Sequence, residues 1–153
     1  MMKLCSDLLK VLEGKTLVTA ESLTGGGIGA AITAVPGASK VFKGGVISYT
    51  DEVKREVLGV SQADLDAFGA VSAPVARAMA AGARKLLQAD VAVSVTGLAG
   101  PDGDEFGHPV GTVYIGYADD KTVTAGEYHF SGDREAVRSQ TIEVALNMIL
   151  ENL

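Results

Sequence analysis

Only one cysteine, Cys5, occurs in the 153 residues. An internal disulfide is therefore impossible, and no thiolate set exists for a structural zinc. This usage fits a reducing cytoplasm. Prolines are few, four in all, and aromatic residues make up 5% of the chain. The core must accordingly be built from Val, Leu, Ile and Ala. No long Lys/Arg run appears and the net charge is -6, so the basic face that nucleic-acid binding requires is missing. No stretch of apolar residues is long enough to span a bilayer. The segment MMKLCSDLLKVLEG is interrupted by Asp7, Lys10 and Glu13, which makes it an amphipathic helix rather than a signal peptide. Neither a nucleic acid nor a membrane is an expected partner.

What is abundant is glycine, 19 residues. The glycines have no period and little proline beside them, so they serve tight turns and close backbone approach rather than a collagen or disordered chain. The length suits one domain over residues 1–153. Leu4, Leu8, Val11 and Leu12 recur at helical spacing, and Gly14 stops that helix. Strands are predicted at 16–20, 44–50, 91–96, 111–118 and 122–130, and helices at 24–34, 51–59, 61–67, 73–87 and from about Val137 onward. Thr50 or Asp51 can cap the helix at 51–59, and Ser61 with Asp64 resembles a capping box. Strands alternate with helices and then close with an antiparallel pair. The expected fold is a three-layer α/β/α sandwich on a mixed, mainly parallel five-stranded sheet.

The run VTAESLTGGGIGAAITAV, residues 18–35, concentrates the chemistry. Gly25, Gly27 and Ala30 fit the dinucleotide fingerprint G-x-G-x-x-G/A after a strand, and Asp51 follows the second strand. Pro36 and Gly37, however, interrupt the helix a Rossmann unit needs. A P-loop is excluded because no Gly-Lys-Ser/Thr follows. A plain strand-to-helix turn capped by Ser22 or Thr24 accounts for the same residues. A third reading makes Ser22 a nucleophile at the carboxyl end of a strand, with helix N–H groups receiving a phosphate or an oxyanion. A serine needs a base. Neither His108 nor His129 has triad context, and no serine has a lysine three residues on. Lys54 remains. It sits in the first turn of a helix, where the dipole and burial both favour the neutral amine, while Asp51 and Glu52 oppose that shift. Tyr49 is close in sequence. The loop 97–109 carries Asp102, Asp104, Glu105 and His108 but lacks the spacing of an EF-hand. Its glycines suggest a substrate-covering loop. Arg134 and Arg138, four apart, suit either phosphate binding or ordinary surface salt bridges.

Five runs occur in a fixed order: TAESLTGG, GGVISYTDEVKREVLGV, GAVS at 69–72, VTGLAGPDG and HPVGTVYIG. Together they resemble the C-terminal domain of the competence/damage-inducible protein family CinA, which also occurs as a stand-alone nicotinamide-nucleotide amidohydrolase. The resemblance covers roughly residues 5 to 150. It implies an anticodon-binding-domain-like sandwich and hydrolysis of nicotinamide mononucleotide to nicotinate mononucleotide and ammonia, with no metal or organic cofactor. It implies Ser22 as nucleophile, assisted by Lys54 and Tyr49. Substrate contacts are expected from Glu21, Thr24, Gly25, Gly26 and Gly45, and from Thr96, Gly97, Ala99, Gly100 and Pro101 in the loop after the third strand. A homodimer is an expected assembly. A non-catalytic nucleotide-binding module of the same fold is the alternative. Relative to the family pattern, Leu23 replaces a common cysteine after the serine, and Asp51 stands where asparagine is common.

Overall fold

A computed structural model describes every residue from Met1 to Leu153. Six helices and five strands follow the expected order: α1 Met2–Val11, β1 Leu17–Glu21, α2 Gly27–Thr33, β2 Phe42–Ile47, α3 Asp51–Leu58, α4 Gln62–Phe68, α5 Ala73–Leu87, β3 Val91–Gly97, β4 Thr112–Ala118, β5 Val123–His129 and α6 Arg134–Asn152. A 3₁₀ turn, Ala38–Lys40, lies between α2 and β2. The sheet order is β2-β1-β3-β4-β5. β1 runs parallel to β2 and β3, whereas β4 is antiparallel to both β3 and β5. No helix is long and apolar enough to cross a membrane.

The alternation of side chains along β1 and β3 divides the core into two halves. Leu17, Val91, Val93 and Val95 face α1, α2 and α6, where Leu8, Leu12, Ile28, Ile32, Leu146 and Ile149 are fully buried. Val18, Ala20 and Ala92 face α5 and meet Val75, Met79, Ala80 and Ala83. The second half is made of small residues, so α5 lies close to the sheet. Ser94 completes that contact by donating its hydroxyl to the carbonyl of Ala76, 2.6 Å away.

The cap read at Thr50 and the serine half of the box read at Ser61 both form. Thr50 Oγ1 accepts from the Val53 amide of α3 and Ser61 Oγ from the Asp64 amide of α4. Ser72 and Asp133 do the same for α5 and α6. Both ends of β2 and the start of α2 differ most from expectation. β2 begins at Phe42 and ends at Ile47, which frees Tyr49 and Thr50 to start α3. α2 begins at Gly27 rather than at residue 24, because Gly25 and Gly26 adopt positive φ of 58° and 102° and hold a turn there. Neither Ser22 nor Thr24 caps α2.

Gly82 of α5 packs against the carbonyl of Leu58, the last residue of α3. A Cβ at position 82 collides with that oxygen, and backbone cannot move aside as a flexible side chain can. Gly82→Ala is therefore expected to destabilise the protein by about 1–3 kcal/mol and to displace α3. Urea unfolding measures the loss; a midpoint equal to wild type contradicts this packing.

Candidate active site

Ser22 is the first residue after β1, and its amide donates to the carbonyl of Val95 on β3 at 3.1 Å. The serine is thereby fixed at the carboxyl ends of two adjacent parallel strands, where open α/β sheets place ligands. α3 brings Lys54 to it. Lys54 is only 1% exposed, and its Nζ lies 3.1 Å from Ser22 Oγ and 3.3 Å from the carbonyl oxygen of Tyr49. Burial lowers the pKa of this amine below its ordinary value, and the nearby Asp51 carboxylate pulls it part of the way back. Asp51 thus opposes the shift, as its position in the sequence indicates, and desolvation outweighs it. With Nζ neutral, one N–H serves the Tyr49 carbonyl and the lone pair can accept the Ser22 hydroxyl proton.

The pair lies in a cleft of about 520 Å³, a size suited to a small ligand. Ser22, Tyr49, Lys54, Thr96, Gly97, Ala99, Gly100 and Pro101 all line it. The other expected contacts do not. Thr24 is buried and Gly25 exposed, neither lining the cleft, and Glu21, Gly26 and Gly45 line a separate cavity of about 170 Å³ beside β2. Glu21 is 2% exposed. Its carboxylate accepts from the Thr24 hydroxyl at 2.6 Å, the Ile28 amide at 2.8 Å and the Gly29 amide at 3.1 Å. The first free donors of α2 are thus used inside the chain. A dinucleotide pyrophosphate would find none of them available, and an oxyanion must be served by other amides.

Tyr49 reaches the cleft differently from a simple base partner. Its side chain is exposed, and its hydroxyl accepts from Arg134 Nη2 at 3.0 Å. The same guanidinium donates through Nη1 to the carbonyl of Gly100 at 2.6 Å. Arg138 donates to the carbonyls of Leu23 and Thr24. Neither arginine forms a salt bridge, so both differ from the surface-pair reading; they tie α6 to loops from three other parts of the chain.

Sequence reasoning missed another part of the cleft lining. Gly69, Ala70, Val71 and Phe106 line it. The GAVS run marked 69–72 without giving it a role. The Phe106 ring packs on Gly69, where any Cβ would strike it, and Thr96 Oγ1 donates to the carbonyl of Ala70 at 2.9 Å. Asp104 and His108, weighed as metal ligands, bind each other instead: Nδ1 lies 2.7 Å from Oδ2.

The family model described as the CinA C-terminal domain matches residues 1–153. The chain belongs to the CinA C-terminal domain family. It is 47% identical over 139 residues to a CinA-like protein of Endomicrobium trichonymphae, covering 91% of this chain and 32% of that protein. With a CinA-like protein of Geobacter sulfurreducens the identity is 48% over 141 residues, covering 92% and 34%. The chain therefore spans about a third of the length of these CinA-like relatives. Among solved structures, a CinA superfamily protein from Escherichia coli superimposes with a TM-score of 0.97 at 37% identity, covering 99% of this chain and 90% of that one. Competence damage-inducible protein A from Klebsiella pneumoniae gives 0.95 at 35%, covering 98% and 94%.

In this CinA domain the buried amine also makes stability depend on pH. Lys54 binds its proton more weakly folded than unfolded, so unfolding takes up a proton between the folded-state pKa and about 10.4. The contribution of Lys54 to stability therefore rises with pH across that window. Lys54→Met removes the rise. Melting temperatures measured from about pH 7 to 10 should show the variant losing ground to wild type as pH increases; a constant gap contradicts a depressed pKa.

Proposed function

We propose that this CinA domain is an amidohydrolase that converts nicotinamide mononucleotide to nicotinate mononucleotide and ammonia. The observation that carries the reading is the buried Lys54 amine beside Ser22 Oγ on the floor of the cleft. A lysine is costly to bury without a task that uses its neutral form, and a serine with an adjacent base is an activated nucleophile. The family resemblance supplies the choice of amide.

In the first half-reaction Ser22 Oγ attacks the carboxamide carbon and its proton passes to Lys54 Nζ. Backbone N–H groups beside Ser22 stabilise the oxyanion. The C–N bond then breaks, Lys54 returns the proton to nitrogen, and ammonia leaves a nicotinoyl ester on Ser22. In the second, water attacks the ester carbon, Lys54 takes its proton, and Ser22 Oγ departs and is reprotonated. The sum is amide plus water to acid plus ammonia. The Tyr49 carbonyl orients Nζ throughout. Arg134 has five N–H donors, of which two are used by Gly100 and Tyr49. Its remaining donors at the cleft edge suit the nucleotide phosphate.

Ammonia release from nicotinamide mononucleotide is the test. Ser22→Ala and Lys54→Ala should each lower kcat by at least about 10³-fold. The rate should climb with pH as Lys54 loses its proton, and Asp51→Asn should move that limb to lower pH, because an anion that holds the proton on has gone. Nucleotide binding with no turnover at any pH would refute the hydrolase and leave a nucleotide-binding module.

A further inference from the structure

We infer that Arg138 is the positioning residue that aims the oxyanion donor, and that this donor is the Leu23 N–H. The inference rests on the serine–lysine reading of the site. Three facts about the turn after β1 lead to it. First, the amides at the start of α2 are not free: Glu21 takes those of Ile28 and Gly29. Second, the Ser22 carbonyl accepts from the Gly25 amide at 3.1 Å. Carbonyl and N–H of a trans peptide point in opposite directions, so the Leu23 N–H, in the same peptide as that carbonyl, points out of the turn. Third, this N–H has no partner within the chain, although Leu23 is only 4% exposed and lines the cleft. A buried amide without a partner is rare. Here it lies next to the nucleophile, at the position from which acyl-transfer enzymes commonly address the tetrahedral oxygen.

A donor is useful only if its peptide is held still. Arg138 comes from α6, more than a hundred residues away in sequence. Its Nε donates to the Leu23 carbonyl at 3.0 Å and its Nη2 to the Thr24 carbonyl at 3.1 Å. One planar fork thus fixes the two peptides that directly follow the donor's own Ser22–Leu23 peptide, and with them the direction of the Leu23 N–H. No carboxylate pairs with this guanidinium, so its full charge lies against the turn that must receive a developing anion. Gly25 passes beneath it, where a Cβ would stand 3.9 Å from Nη2. Lysine is a point charge and cannot span both carbonyls. Arg138 makes no contact with the cleft; it acts through the backbone.

The experiment compares Arg138→Lys, Arg138→Gln and Arg138→Ala with wild type in two assays. In hydrolysis of nicotinamide mononucleotide, loss of an aligned oxyanion donor should lower kcat by about 10²-fold, leave KM within about threefold, and leave the pH of the Lys54 limb in place. Millimolar guanidinium should restore part of the rate to Arg138→Ala only. In the second assay an alkyl fluorophosphonate forms an Oγ–P bond with Ser22 and fluoride leaves. Its phosphoryl oxygen needs the same donor, so labelling should slow in step with kcat. A kcat within twofold of wild type, or a rise in KM with kcat retained, overturns the inference. If wild type labels at Ser22 but releases no ammonia, slower labelling of the variants still supports Arg138 and refutes the substrate alone. Equal labelling rates overturn Arg138's role, and failure of wild type in both assays overturns both readings.

Discussion

Lys54 is carried into the interior on the first turn of α3, and its amine comes to rest 3.1 Å from Ser22 Oγ. Charging that amine requires stripping an ammonium of water at the positive end of a helix. The neutral form is the one the environment favours, and it is also the one that can take a serine proton. Much of the architecture serves this contact. β1 and β3 fix the serine through the Ser22–Val95 bond. The early end of β2 releases Tyr49 and Thr50, so that one can offer its carbonyl to Nζ and the other can cap the helix that presents it. Close packing at Gly82 sets where α3 lies against α5. Asp51 works against the arrangement without reversing it.

The turn between β1 and α2 shows how a glycine-rich loop can look like a phosphate site and be something else. Gly25, Gly27 and Ala30 satisfy a dinucleotide pattern, yet the amides at the helix start are occupied by Glu21. The glycines are used for geometry. Positive φ at Gly25 and Gly26 folds the chain back sharply, so that the carboxylate of the preceding strand reaches the helix start. The turn becomes rigid from within on one side and is held by Arg138 on the other. That rigidity is what a nucleophile and its oxyanion donor need, since a small misplacement costs much of the rate.

A good part of this is legible in the sequence alone. Hydrophobic periodicity and cap residues placed each main element in order, because those signals are local. Ser22 and Lys54 emerged from the chemistry a strand-end serine requires, and the family pattern raised them further. What remained hidden depends on partners distant in sequence. Glu21 reads as one more polar residue near a ligand until the fold aims its carboxylate at Ile28 and Gly29. Arg134 and Arg138 read as a helix-surface pair, since nothing in RxxxR shows that its partners are carbonyls of residues 23, 24 and 100. Gly69 and Phe106 form one wall only after the loop from β3 to β4 closes on the segment before α5. Asp104 and His108 read as polar residues of a substrate-covering loop without metal-site spacing, and only the fold shows them bound to each other.

The claim at the centre of the account is that Lys54 is neutral when Ser22 needs a base. Selective ¹³Cε labelling of lysine and NMR titration of Lys54 in the folded protein test it most directly. A neutral Lys54 requires a midpoint clearly below that of the exposed lysines of the same chain, moving lower still in Asp51→Asn. A midpoint at or above theirs would contradict it, whatever the protein hydrolyses.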